Sequence, residues 1–164
     1  MQDIDVARVV MKQRLIQRYP TGTVLGHVDM RDLAEVAAKV VTEPGHSHAT
    51  YDISSGERLS VDEICAVIAR IAGKAIASAS VEPGVLIEIF RRHWPTQLSD
   101  YSVKGFHRLF GYDGRHGIHG NPSVLTWLLG RPPETFEAYV RRSLAGVLVQ
   151  RRSFGAIGNG PSNR

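Results

Sequence analysis

The chain has 164 residues, 43% of them hydrophobic and 22% charged, with a formal net charge of +4. That length suits one domain with a real core and is too short for two comfortable ones. The balance is that of an ordinary soluble globular protein, and no apolar run approaches the roughly 20 residues that a membrane-spanning helix requires.

The opening residues, MQDIDVARVV, lack the basic-then-apolar layout of a signal peptide. Cys65 is the single cysteine, which excludes an internal disulfide framework and fits a reducing compartment. A cytoplasmic location is therefore expected. The basic residues are scattered, several as pairs (Arg91-Arg92, Arg141-Arg142, Arg151-Arg152), and the aromatics do not interleave with them as a stacking platform would. The charge reads as a solvated surface plus a basic tail. Neither nucleic acid nor a membrane is expected as a partner.

In chain order, the first eighteen residues carry Ile4, Val6, Val9, Val10 and Leu15, compatible with a helix. A short strand is expected over 24–28. Asp29 then stands at an N-cap position, with Asp32 in the first turn near the positive end of the helix dipole. Leu33, Val36, Ala37, Val40 and Val41 give this helix one apolar stripe, and Pro44-Gly45 ends it. The alternation in ATYDIS predicts a second strand over 49–54. Ser60-Val-Asp-Glu63 is a capping box that opens a helix with Ile64, Val67, Ile68 and Ile71 on its buried face. Gly73 closes that helix, and a weaker third strand is expected over 75–81. This order predicts an α/β fold with at least part of a parallel sheet. Beyond Pro83 the pattern turns helical, over about 84–93, 96–110, 122–129 and 134–148. Residues 149–164, rich in glycine, serine and arginine, read as a disordered basic tail.

The stretch GYDGRHGIHG, residues 111–120, contains the spacing G-x-x-G-x-x-G, which many reductases use to hold a dinucleotide pyrophosphate. That chemistry needs the glycines to follow a buried parallel strand and to open a helix, so that free backbone N–H groups meet the phosphates. Here the preceding residues include Lys104, His107 and Arg108 and read as helix. The next helix starts only after the last glycine, at Asn121-Pro122. The glycines are therefore expected to make a turn and not a cofactor cradle. Tyr101 and Lys104 lie three apart where the Tyr-x-x-x-Lys pair of short-chain dehydrogenases lies four apart, and read as a surface helix pair. His46 with His48 and His116 with His119 lack the cysteine or i, i+4 partner of a zinc site and read as solvated loop histidines. Cys65 is expected to be a partly buried structural thiol. No Gly-x-Ser-x-Gly nucleophile elbow occurs.

Residues 23–73 carry His-Val-Asp-x-Arg-Asp-Leu-Ala-Glu-Val-Ala at 27–37, Thr-Glu-Pro-Gly-His at 42–46, Thr50-Tyr51-Asp52-Ile53-Ser54 and Leu59-Ser60. Together with GNPSVLTWLLGRPPETFEAYV at 120–140, this series resembles the NmrA-like family, atypical members of the short-chain dehydrogenase/reductase superfamily with an NAD(P)-binding Rossmann fold. The resemblance covers most of residues 1 to about 145. It implies that residues 1–148 correspond to the C-terminal half of such a domain, a short parallel-sheet remnant with a mostly helical, substrate-side region. The half that binds the cofactor, with its own strand and G-x-x-G-x-x-G turn, has no counterpart in the sequence. By this resemblance no catalytic or cofactor-binding residue is assigned, and NAD(P) is not expected to bind the chain alone. His27 matches a strand-to-helix corner beside the substrate cleft, and Phe90, Trp94 and Phe106 fall among the helices that cover it. Without the preceding strands the sheet is left with an unpaired edge. Pairing with a missing N-terminal half, or self-association, is then expected, with a small molecule as the full protein's substrate. Two functions follow as expectations: the substrate side of an NAD(P)-dependent oxidoreductase-type or redox-sensing protein, or a non-catalytic interaction or dimerisation module derived from that fold.

Overall fold

The computed structural model describes residue 1, residues 4–93 and residues 98–155. Helix α1, Val6–Lys12, starts at Asp5, whose carboxylate accepts from the Arg8 N–H, and stops at Gln13 in the left-handed conformation. Strand β1, Arg14–Gln17, follows at once. It pairs in parallel with β4, Ala77–Ser80, from Arg14 opposite Ala77 to Gln17 opposite Ser80. The strands expected over 24–28 and 49–54 do not pair with each other. Instead β2, Leu25–Gly26, pairs antiparallel with β3, Arg58–Leu59.

Residues 49–54 belong to no strand. Their alternation reports burial without pairing, because Tyr51 and Ile53 pack beside Val36, Leu125 and Leu128. Side chains also replace the ladder. The Ser55 hydroxyl donates to the His27 carbonyl and accepts from the Glu57 N–H, and the Ser54 hydroxyl accepts from the Gly56 N–H. Serine hydroxyls offer the backbone such alternatives to strand pairing.

Helix α2, Met30–Thr42, begins where Asp29 caps it, its carboxylate accepting from the Arg31 N–H at 2.8 Å. Helix α3, Val61–Ala72, carries the capping box in full. Ser60 accepts from the Glu63 N–H at 3.2 Å, and Glu63 accepts from the Ser60 N–H at 2.8 Å. That second bond holds the Glu63 carboxyl below its usual range. Gly73 closes the helix in the left-handed conformation.

Val61, Ile64, Cys65 and Ile68 face the main core, with Val6, Val9 and Leu15 on one side and Phe136, Tyr139 and Val140 on the other. Each fully buried side chain of this size contributes roughly 1.5–3 kcal/mol relative to exposure. Burial pushes the Cys65 thiol up to about 11. The native chain is therefore expected to leave Cys65 unlabelled by a disulfide reagent at pH 8 and to react once unfolded in urea; fast labelling of the folded chain would contradict this packing. Because the folded thiol resists ionisation, its contribution to stability is complete below pH 9 and is lost as pH rises toward 11.

The helical second half comprises α4, Pro83–His93, α5, Asp100–His116, α6, Ser123–Leu129, and α7, Phe136–Gly155. Helix α5 runs six residues beyond the expected end at 110. It carries Gly111 and Gly114 inside it, so these two glycines do not form a turn. Its apolar stripe of Val103, Phe106 and Phe110 continues to the buried Asp113, which explains the extension. Helix α7 continues past 148 to Gly155, and residues 156–164 of the expected tail lie outside the described residues. The architecture is thus α/β, with a short parallel pair and mostly helices.

Candidate functional site: a cavity beside strand β2

The backbone that leads out of β1 and the backbone of β2 enclose a cavity of about 490 Å³. Its walls include Gln17 at the end of β1 with Arg18 and Tyr19 after it, Leu25 and Gly26 of β2 with His27 and Val28 after them, Met30 at the start of α2, and Ile118. Three loops meet at this wall. Leu25 bridges to Ile118 in parallel, the Gly26 N–H donates to the Ile118 carbonyl at 2.8 Å, and the His27 N–H donates to the Glu57 carbonyl at 3.3 Å.

Tyr19 is buried, and its ring packs edge-on to Phe110 with centroids 6.3 Å apart. Its hydroxyl accepts from Arg18 Nε at 2.9 Å and donates toward Asp113 Oδ2 at 3.5 Å. Burial raises the Tyr19 phenol above its ordinary range and outweighs the opposing effect of Arg18. Arg18 also lies 4.8 Å above the Tyr19 and Phe110 rings, a cation–π arrangement that holds its guanidinium at the rim. Tyr19, Arg18 and Asp113 went unremarked in the sequence. The legible signal was Asp113, an acid that continues the apolar stripe of α5 at helical spacing.

Of the residues expected near a substrate, His27 lines the cavity, with its ring 6.0 Å from that of Phe136. Phe106 lies in the second core cluster, stacked 5.6 Å from Phe110, and does not contribute to the cavity wall. Phe90 falls on α4, and Trp94 lies outside the described residues. Tyr101 is 87% exposed, as a surface position would be. His46 is engaged by the Tyr51 hydroxyl at 2.6 Å.

The wall is braced from behind by two acids of the 27–37 motif. Asp29 and Asp32 are almost fully buried. Asp29 pairs with Arg142 of α7. Asp32 accepts from Arg131 Nη2 at 2.8 Å and from the Glu134 N–H at 2.6 Å. Lys39 donates to the Leu128 carbonyl at 2.9 Å, and Val36 packs on Leu125 and Leu128. The stretches 27–37 and 120–140 are therefore contact partners. Their acids and arginines fasten the C-terminal helices to the corner that carries His27.

The glycine stretch 111–120 does not form a dinucleotide pyrophosphate turn. Gly111 and Gly114 lie within α5, and Gly117 caps its C-terminus with its N–H donated to the Asp113 carbonyl at 2.7 Å. A helix C-terminus presents carbonyls and not free N–H groups, so this backbone lacks the N–H cradle that a pyrophosphate needs. Among the described residues no group of three or more His, Cys, Asp or Glu side chains is placed to hold a metal ion. No described helix is long and apolar enough to cross a membrane.

No family model matches the chain. The chain is 32% identical over 118 residues to an NAD(P)H azoreductase of Xenophilus azovorans, spanning 72% of this chain and 40% of that protein. Among solved structures it resembles the NADPH complex of an NADPH-dependent quinone oxidoreductase from Escherichia coli, with a TM-score of 0.65 at 17% identity. It likewise resembles the NADP(H) complex of a Citrobacter sp. triphenylmethane reductase, with a TM-score of 0.62 at 16% identity. Each likeness covers 84% of this chain and 47% of the other. The chain therefore spans less than half the length of these relatives, and over that span its fold is that of NAD(P)-binding Rossmann-type reductases.

Proposed function

We propose that this chain forms the substrate-side part of an NmrA-like, NAD(P)H-dependent reductase-type protein, corresponding to the C-terminal half of that domain. In this reading the chain is not catalytic alone, works in a reducing compartment such as the cytoplasm, and needs a separate dinucleotide-binding segment or chain as its partner. The carrying observation is the cavity beside β2, bounded by the Tyr19 ring, the His27 corner, Met30 and Ile118. Its apolar walls with few polar groups suit a flat, uncharged organic acceptor. The quinones named for one of the similar reductases are of that kind. The buried Tyr19 phenol, raised above its ordinary range, presents an uncharged aromatic wall, while Arg18 supplies the cation.

Two measurements on the 164-residue chain test the reading. Titration with 2-methyl-1,4-naphthoquinone is expected to give saturable NMR shifts at residues 17–19, 25–28 and 118. Titration with NADPH, followed by nicotinamide fluorescence, is expected to show no stoichiometric complex. Tight one-to-one NADPH binding would overturn the assignment of the cofactor site to another segment. Quinone shifts absent from the cavity wall would overturn the substrate-side reading.

A further inference from the structure

A second cavity, of about 410 Å³, opens on the far side of the 20–24 loop. Its walls bring together Arg58 of β3, Arg115 and His116 from the last turn of α5, and His119. None of its lining residues is acidic. Among the described residues, neither Arg58 nor Arg115 has a carboxylate within ion-pair distance, so no acid neutralises the guanidiniums of the recess. The acids nearest in sequence, Glu57 and Asp113, are turned elsewhere: Glu57 accepts from the Phe136 N–H, Asp113 is buried against Tyr19, and neither lines the cavity. Arg115 and His116 also complement the α5 dipole, but Arg58 comes from a different element and has no such role. Two arginines and two histidines from β3, α5 and the loop after α5 thus line one recess.

We propose that this recess is a binding site for a phosphate group, independent of the acceptor cavity. Guanidinium forks match phosphate oxygens in a bidentate fashion. Imidazoles can add further donors. Gly22 also lines the recess. At Gly22 an added Cβ would meet no atom within 4 Å, so the recess tolerates a side chain there without disturbing the fold.

The test is calorimetric titration of the 164-residue chain with orthophosphate, pyrophosphate and adenosine 5′-monophosphate at low salt, with amide shifts recorded in parallel. One-to-one saturation is expected, with shifts at residues 22–24, 58 and 115–119. Tighter binding of the adenylate than of orthophosphate assigns an organic phosphate, and equal binding assigns the free anion. The double variant R58A/R115A is expected to weaken binding at least 10-fold. So is Gly22→Asp, which places a carboxylate in the recess, with circular dichroism unchanged. The pair K12A/K74A, which removes two positive charges outside the cavity, is expected to change binding less than 2-fold. Absence of saturation by all three anions overturns the proposal. So does binding that K12A/K74A weakens as much as R58A/R115A, since that would be attraction to net charge alone.

Discussion

Gly117→Ala is expected to destabilise the chain by about 3 kcal/mol, while Gly111→Ala, six residues earlier in the same glycine-spaced stretch, is expected to stabilise it by up to about 1 kcal/mol. Gly117 adopts φ +70° and ψ −176°, a region essentially restricted to glycine and costing other residues of order 1–3 kcal/mol. A Cβ placed there would also lie 2.3 Å from the Val24 carbonyl oxygen. That carbonyl accepts from the Ile118 N–H, and Ile118 in turn accepts from the Gly26 N–H. Relief of the clash therefore pries the 117–118 backbone away from β2 and opens the wall of the acceptor cavity. Gly111 has the opposite circumstances: it lies inside α5, and an added Cβ would meet nothing within 4 Å. There alanine only removes the entropic penalty of a helical glycine. At roughly 2–4 °C per kcal/mol for a chain of this size, thermal unfolding should place the two variants on opposite sides of the parent. Equal losses at both positions would contradict the geometry and would revive the reading of GYDGRHGIHG as one functional loop.

That contrast shows where sequence reasoning succeeds and stops. Local chemistry was legible: the Ser60–Glu63 capping box, the Asp29 cap and the Gly73 closure all form as their residue types dictate. Resemblance carried the fold class, because the likeness extends over residues whose contacts define it. Pairing was not legible. The alternation at 49–54 was real, yet Tyr51 and Ile53 satisfy it by packing on α2 and α6, and serine hydroxyls occupy the neighbouring backbone groups. The true parallel partners, Arg14–Gln17 and Ala77–Ser80, are four residues each and about sixty residues apart. Neither has a strong β-forming composition, so only tertiary context selects them. The acceptor cavity was half legible. The His27 corner came from the motif, whereas Tyr19 and Asp113 meet across 94 positions of sequence, a separation that no periodicity reveals.

Asp32→Ala is expected to cost about 3 kcal/mol, and Glu35→Ala no more than about 1 kcal/mol, although both carboxylates hold the same Arg131. Asp32 is 1% exposed and serves two donors, the Arg131 guanidinium and the Glu134 backbone N–H. Its removal leaves that N–H without its acceptor, a loss of about 1–3 kcal/mol, and also breaks a charge-assisted bond of similar size. Arg131 limits the damage because its side chain is 42% exposed and keeps Glu35 at 2.5 Å. Glu35 is itself half exposed and bonds only to Arg131 among the described residues, so it behaves as a surface pair. A urea double-mutant cycle with Arg131→Ala separates the contributions. Most of the Asp32 effect should survive in the Arg131→Ala background, because it resides in the Glu134 N–H. Full loss of the effect in that background would place the anchor in the ion pair instead. The consequence for the site follows from position. Glu134 precedes Phe136 at the start of α7, and the Phe136 ring lies 6.0 Å from the His27 ring at the cavity wall. Loosening the Asp32 anchor should therefore broaden the His27 resonances and weaken quinone binding along with stability, whereas Glu35→Ala should leave both unchanged.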